Sequence, residues 1–365
     1  MLQTCQARPE TCFANDALLE RCRFRRLAGI LVASRLELGD TAPPEPERHG
    51  EQGRLTNKTQ PTLTIGIVPR ERFSIWPRAL KSILDYTDLD YELIIVDNHT
   101  PPRYWAEIEQ LLAGRENVRI IRTDEKLLPG PCKELIADVC DTELICLIEN
   151  DVIVTEGWLT SMIDAIQEYP ADVVSPMVLE GSPHKIHADK NFGHFKFVQT
   201  ERGTELSIVP IARTARELSQ ITSVTPIECG ETHCLLFRTE ALKRTKPFRE
   251  PLNTREFIDT FLTLREAGVT FVFQPASRVI FVPPPPVEPD EMPFFAAKWD
   301  KELAAKSHRV ILEKWNLAAF PPSIGFVAEH WYRASWPRWF LFSINTRVRR
   351  RLARELRQLS SRGRA

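Results

Sequence analysis

An apolar run, Leu144-Ile145-Cys146-Leu147-Ile148, stops at Glu149-Asn150-Asp151 and resumes as Val152-Ile153-Val154. Burying a carboxylate without a partner costs several kcal/mol or forces the group to take up a proton. Two carboxylates and an amide at that place therefore require something to meet them at the end of the strand. The plain alternative is a strand-end turn, in which Asn and Asp adopt their usual backbone conformations. A second carboxylate pair, Glu256 and Asp259, lies three residues apart on one face of a helical pattern. Like charges at that spacing repel, which points to a reason beyond helix stability. Against this, Asn253 and Glu256 also fit a capping box, and carboxylates favour the first turn of a helix. Asp97 ends another apolar stretch, "YELIIVD". His184, His187, Asp189 and His194 are loosely spaced with nothing to fix them on one face, so a flexible loop suits them better than a zinc site.

The elements that must position these residues alternate. Strands are expected at 63–68, 91–97, 117–123 and 143–148, with helices at 76–87, 104–114 and 131–140 between them. Such βαβα order with short connections argues for a parallel sheet covered on both faces, and ligands bind such sheets at the carboxyl ends of the strands. Asp97 and Glu149-Asn150-Asp151 stand at such ends. Beyond them, "WLTSMIDAIQEYP" reads as a helix and "ADVVSPMVL" as a strand, while 180–220 is polar and loop-like. Strand running to helix follows at 233–242, a helix at 253–268, and strands at 269–275 and 277–282. Pro283–Pro286 make a stiff extended exit, followed by a helical segment and a tail rich in tryptophan and arginine.

Of the 365 residues, 43% are hydrophobic, enough for a large core, and the net charge of -1 gives no global field to attract nucleic acid. The eight cysteines form no CxxC pair, and those inside apolar runs read as small buried hydrophobes in a reducing compartment. The apolar stretch Leu27–Ala33 is too short to span a bilayer and begins too late, behind acidic residues, for a signal peptide. A cytoplasmic protein is expected. Residues 17–38 could form one arginine-rich amphipathic helix, and 41–61 reads as a proline-rich linker. Three segments result: an extension and linker over 1–60, a catalytic domain over 61–290, and a helical extension over 291–365.

From 63 to 282 the pattern resembles family 2 glycosyltransferases. The motifs that carry the resemblance are "VPRER" after the first strand, "IIVDNHT", "PGPCKELIA", "IENDVIVTEGWL", "CGETHCLLFRTEAL" and "FREPLNTREFIDTFLTLREAG", in the family's order. The resemblance implies a GT-A fold of the nucleotide-diphospho-sugar transferases. Such a fold is Rossmann-like, with a mixed, mainly parallel sheet and helices on both faces. Helical N- and C-terminal extensions would flank it here. It implies transfer of a sugar from a nucleotide-diphosphate sugar to a hydroxyl of a glycan, lipid or small molecule, with inversion. It also implies a divalent cation, Mn2+ or Mg2+, that neutralises the departing diphosphate.

Carried over position by position, Asp151 is the last residue of the family's DxD motif and would bind the metal. Glu149 and Asn150 fill its first two positions, with Glu a departure that keeps a carboxylate. Asp97 would accept a hydrogen bond from the nucleobase, and Pro69 and Glu71 would line the nucleoside pocket. Lys133 stands near the diphosphate where the family often has arginine, and Glu134 replaces the usual Asn. His233 would border the acceptor. The family's "EDxD" appears as Glu256-Phe257-Ile258-Asp259, so Glu256 is read as the general base and Asp259 as holding the acceptor or a neighbouring cation. Two other readings compete. A nucleotidyltransferase would want a glycine-rich phosphate loop that "VPRERFS" lacks, and a non-catalytic carbohydrate-binding or scaffold protein would explain the altered "EFID". The tail carries eight arginines and one glutamate from Arg347 to Ala365. With the tryptophans of 331–342 it suits the inner face of an anionic membrane, or a helix packed on the catalytic domain.

Overall fold

The apolar hexapeptide Leu63–Val68 forms β1, buried along its whole length, and the helix over Trp76–Asp85 that follows is α1. The alternation continues through β2 (Glu92–Asp97), α2 (Pro102–Leu112), β3 (Val118–Arg122), α3 (Pro129–Val139) and β4 (Leu144–Glu149). This is a computed structural model, and it describes residues 62–181, 184, 191–282, 287–320 and 324–334. The expected helix over 17–38, the linker over 41–61, His187, Asp189, Pro283–Pro286 and the basic tail lie outside the described residues.

Strands β1 to β4 pair in parallel in the order β3-β2-β1-β4. Along each central strand, alternate residues enter different cores. Ile94, Val96, Ile145 and Leu147 pack with Ile136 of α3, whereas Leu93, Ile95, Cys146 and Ile148 pack with Trp76 and Leu80 of α1 and Ile108 of α2. The period of two therefore covers both faces with helices, as a parallel sheet requires. Gly66 has a specific part in this. A Cβ there would sit 2.6 Å from Ile136 Cγ2, so its absence lets α3 lie close against β1.

After β4 come β5 (Val152–Val154), α4 (Trp158–Glu168) and β6 (Val173–Glu180). The segment read as loop, 180–220, instead contains an antiparallel hairpin, β7 (Phe192–Thr200) with β8 (Gly203–Pro210), and a short helix, α5 (Ala215–Gln220). Most of the hairpin faces solvent; Phe195 and Leu206 are buried and join it to the core, so apolar patterning marks it weakly. Next are β9 (Thr225–Ile227), β10 (Cys234–Arg238), α6 (Thr239–Thr245) and α7 (Glu256–Glu266). The two strands expected at 269–282 are one, β11 (Phe271–Phe281), with a bulge between Gln274 and Arg278 that absorbs Pro275. The main sheet reads β3-β2-β1-β4-β10-β6-β11-β5, with β9 beside β11. It is mixed, and its two longest ladders, β6–β11 and β1–β4, are parallel.

Among the described residues, the C-terminal helical segment contains α8 (Met292–Lys298), α9 (Lys301–Lys314) and α10 (Ile324–Ala334). Asp300 caps α9 by accepting from Leu303 N at 2.7 Å, which separates it from α8. Glu291, fully buried before α8, accepts from Ser74 N at 2.7 Å and so ties α8 to the loop after β1. Among the described residues no helix is long and apolar enough to cross a membrane.

Candidate active site

The Glu149-Asn150-Asp151 interruption is a crossing point. Strand β4 pairs with β1 and β10, and two residues later β5 pairs with the end of β11. Backbone bonds hold the crossing: Asn150 N donates to Val68 O at 3.0 Å and Val282 N to Asp151 O at 3.1 Å. The Asn150 side chain locks the loop after β1, accepting from Arg70 N at 2.9 Å and donating to Arg72 O at 3.2 Å. Asn150 therefore fixes where the arginines of "VPRER" begin.

Those arginines meet the carboxylates. Arg70 Nη1 donates to Glu149 Oε2 at 2.8 Å, and Arg72 Nη2 donates to Asp151 Oδ2 at 2.6 Å. Lys133, brought in by the close packing of α3, donates to Glu149 Oε1 and to Thr232 O, both at 3.0 Å. His233 Nδ1 lies 2.6 Å from Glu149 Oε2; the carboxylate accepts, so this nitrogen carries the proton. His233 also stacks on Phe281, with ring centroids 4.4 Å apart. Burial works against ionisation of Glu149, but Arg70, then Lys133 and His233, outweigh it and hold the carboxyl well below its usual range. Asp151 differs: its Oδ1 is buried without a protein partner, as is Nη1 of Arg72. Glu149, Asp151 and His233 each offer a ligand atom, all within 4.8 Å of one another.

Beside this cluster a cavity of about 390 Å³ opens, walled by the loop after β1, by Asn98 at the end of β2, by residues 126–129 and by α8. Pro69 and Glu71 line it, where the resemblance expected a nucleoside pocket. Glu71 is buried between Arg70 Nε at 3.4 Å and Trp299 Nε1 at 3.0 Å. Asp97 is not among the residues that line the cavity; it accepts from Thr100 N at 3.1 Å and faces Arg122 at 3.5 Å. Its neighbour Asn98 lines the cavity and holds the 123–127 loop through Thr123 and both backbone groups of Leu127.

Glu256 and Asp259 part company despite sharing a helix. Glu256 Oε1 accepts from Lys298 Nζ of α8 at 2.8 Å, and Lys298 lines the cavity. Asp259 is held by α9 and its end, accepting from Trp315 Nε1 at 2.7 Å and from Lys314 Nζ. Each carboxylate thus has its own lysine, which removes the repulsion expected between them. The capping box does not form. Arg255, at φ 59°, precedes α7, and the Asn253 side chain instead donates to Lys298 O and Asp300 O. Sequence reasoning missed the roles of Arg70, Arg72 and Lys298. The only trace of the first two was the charged "RER" directly after a buried strand.

Residues 67–245 match the family model described as Glycosyl transferase family 2. Human polypeptide N-acetylgalactosaminyltransferase 6 is 27% identical over 160 residues, 43% of this chain and 25% of that protein, so the match spans about a quarter of that relative's length. Among solved structures, GalNAc-T7 with UDP, GalNAc and Mn2+ aligns with a TM-score of 0.49 and 14% identity, over 75% of this chain and 57% of that one. S. aureus TarS 1–349 in complex with UDP-GlcNAc aligns with a TM-score of 0.45 and 13% identity, over 70% of this chain and 72% of that one. The likeness to Glycosyl transferase family 2 is carried by residues 67–245, which run from β1 to the end of α6.

Proposed function

We propose that the protein transfers a sugar from a nucleotide-diphosphate sugar to an acceptor hydroxyl, with inversion. The observation that carries this reading is the buried charge cluster beside the cavity. Glu71, Glu149, Asp151 and Glu256 are met by Arg70, Arg72, Lys133 and Lys298, so the cluster is balanced before any ligand arrives. A diphosphate adds negative charge, and a divalent cation is its natural counter-charge. Mn2+ or Mg2+ fits the residues present: Asp151 Oδ1 is a buried oxygen without a partner, and Glu149 and His233 lie beside it. Such an ion would stabilise charge on the departing diphosphate. The chain's own groups do the rest. Arg72 Nη1 is a second buried polar atom without a partner on the same ion pair, the cavity holds the nucleoside, and Glu256 takes the acceptor's proton.

A second reading has an observation of its own. Glu149 is saturated by three donors and Asp151 already carries an arginine, which suits a non-catalytic sugar-binding protein that has neutralised its metal carboxylates. Release of free nucleoside diphosphate from UDP-, GDP- and dTDP-sugars, with and without Mn2+, separates the two. Turnover that needs the metal supports transfer; no turnover with any donor and acceptor supports the second. The reading extends to a catalytic domain over 61–290 between two extensions. It places the protein in the cytoplasm, with the basic tail touching the membrane's inner face.

A further inference from the structure

Lys298 closes α8, outside the family-matched residues, yet it lines the cavity and holds Glu256. Its side chain is 5% exposed and that of Glu256 19%. The backbone at Lys298 is pinned, since its carbonyl accepts from Asn253 Nδ2 at 3.0 Å and Glu291 anchors the helix to the loop after β1. Only the amine on its flexible stem is free to change partner, and lysine, a compact point charge, suits such an exchange. A buried ammonium cannot leave its carboxylate without another anion, because an unpaired buried charge is strongly disfavoured. The cavity wall holds further cations, Arg70 and Lys126, and Arg70 is engaged by Glu149 and Glu71.

Resting on the transferase reading above, we propose that Lys298 binds the donor's diphosphate and leaves Glu256 as it does so, which frees the base only once the sugar nucleotide is in place. In that case α8, beyond the family match, is part of the active site. While Lys298 holds it, Glu256 is a poor proton acceptor: burial opposes its ionisation, but Lys298 and then Arg70 outweigh this and lower its pKa.

The test is calorimetric titration of the full chain with UDP, GDP and dTDP in Mg2+, with the matching nucleosides as controls. Lys298→Met weakens binding of the diphosphate by about tenfold, the scale of a charge-assisted hydrogen bond, and leaves nucleoside binding unchanged. Lys298→Arg retains most of the affinity. Glu256→Gln, which keeps its shape, tightens the diphosphate severalfold because Lys298 no longer has to leave a carboxylate. In the Glu256→Gln/Lys298→Met double variant that gain disappears. If the gain persists there, it reflects general loss of negative charge and the proposal is wrong. If wild type binds a nucleoside diphosphate and neither single change alters its affinity, the proposal also fails while the transferase reading stands. If wild type binds none of the three, both fall together.

Discussion

Arg72 grips Asp151 by one hydrogen bond, Nη2 to Oδ2 at 2.6 Å, and each partner keeps one buried atom unpaired, Nη1 and Oδ1. Under the proposed transfer, the open oxygen is where a divalent cation would bind.

Asp151→Ala therefore abolishes metal-dependent nucleotide binding. It also destabilises the fold by about 3–5 kcal/mol, because Arg72 is left as an uncompensated buried charge. Asp151→Asn retains an acceptor for Arg72 and costs less, yet still loses the metal dependence. Titration of nucleotide with and without Mn2+, beside chemical denaturation, measures both effects; unchanged metal-dependent affinity in either variant refutes the role.

Stability falls steeply in acid, and Glu71 accounts for part of the slope. Burial opposes its ionisation, but Arg70, then Lys298 and Arg72, hold its pKa at about 2 against an ordinary 4.5. A carboxyl depressed in the folded state stabilises fully above its unfolded value and loses that contribution as pH falls towards the folded one. Urea denaturation at a series of pH values should show a shallower decline between pH 4.5 and about 2 for Glu71→Gln than for wild type. Identical slopes would mean that Glu71 has no such shift.

Glu256→Gln lowers transfer by about 100-fold or more, the usual scale for a general base, without weakening donor binding. Asp259→Asn leaves the chemistry largely intact and loses stability, since it weakens the hold of Lys314 and Trp315. Steady-state rates and melting temperatures of the two variants decide the assignment. The reverse pattern makes Asp259 the base, and near-normal transfer in both puts the base elsewhere.

The arginine-rich tail retains the full chain on anionic liposomes, and a chain truncated near residue 330 floats less. Equal flotation of the two forms removes the membrane contact.

The sequence by itself determined the alternation of elements and the strand ends. Apolar period and short connections are local, and β1, β2 and β4 are buried runs whose pattern survives without knowledge of their neighbours. For the same reason Glu149-Asn150-Asp151 was legible as a place that needs partners, because charge inside an apolar run is costly wherever the run lies. The partners were not legible. Glu149 is met by Arg70, Lys133 and His233, and Asp151 by Arg72, from separate elements whose distance is set by sheet order and by the close approach of α3 over Gly66. The parting of Glu256 and Asp259 was also decided in three dimensions. Helix spacing puts them on one face, but α8 and α9 arrive from beyond the sheet and give each its own lysine. Local periodicity fixes which residues share a face; only the packing of distant segments fixes what that face meets.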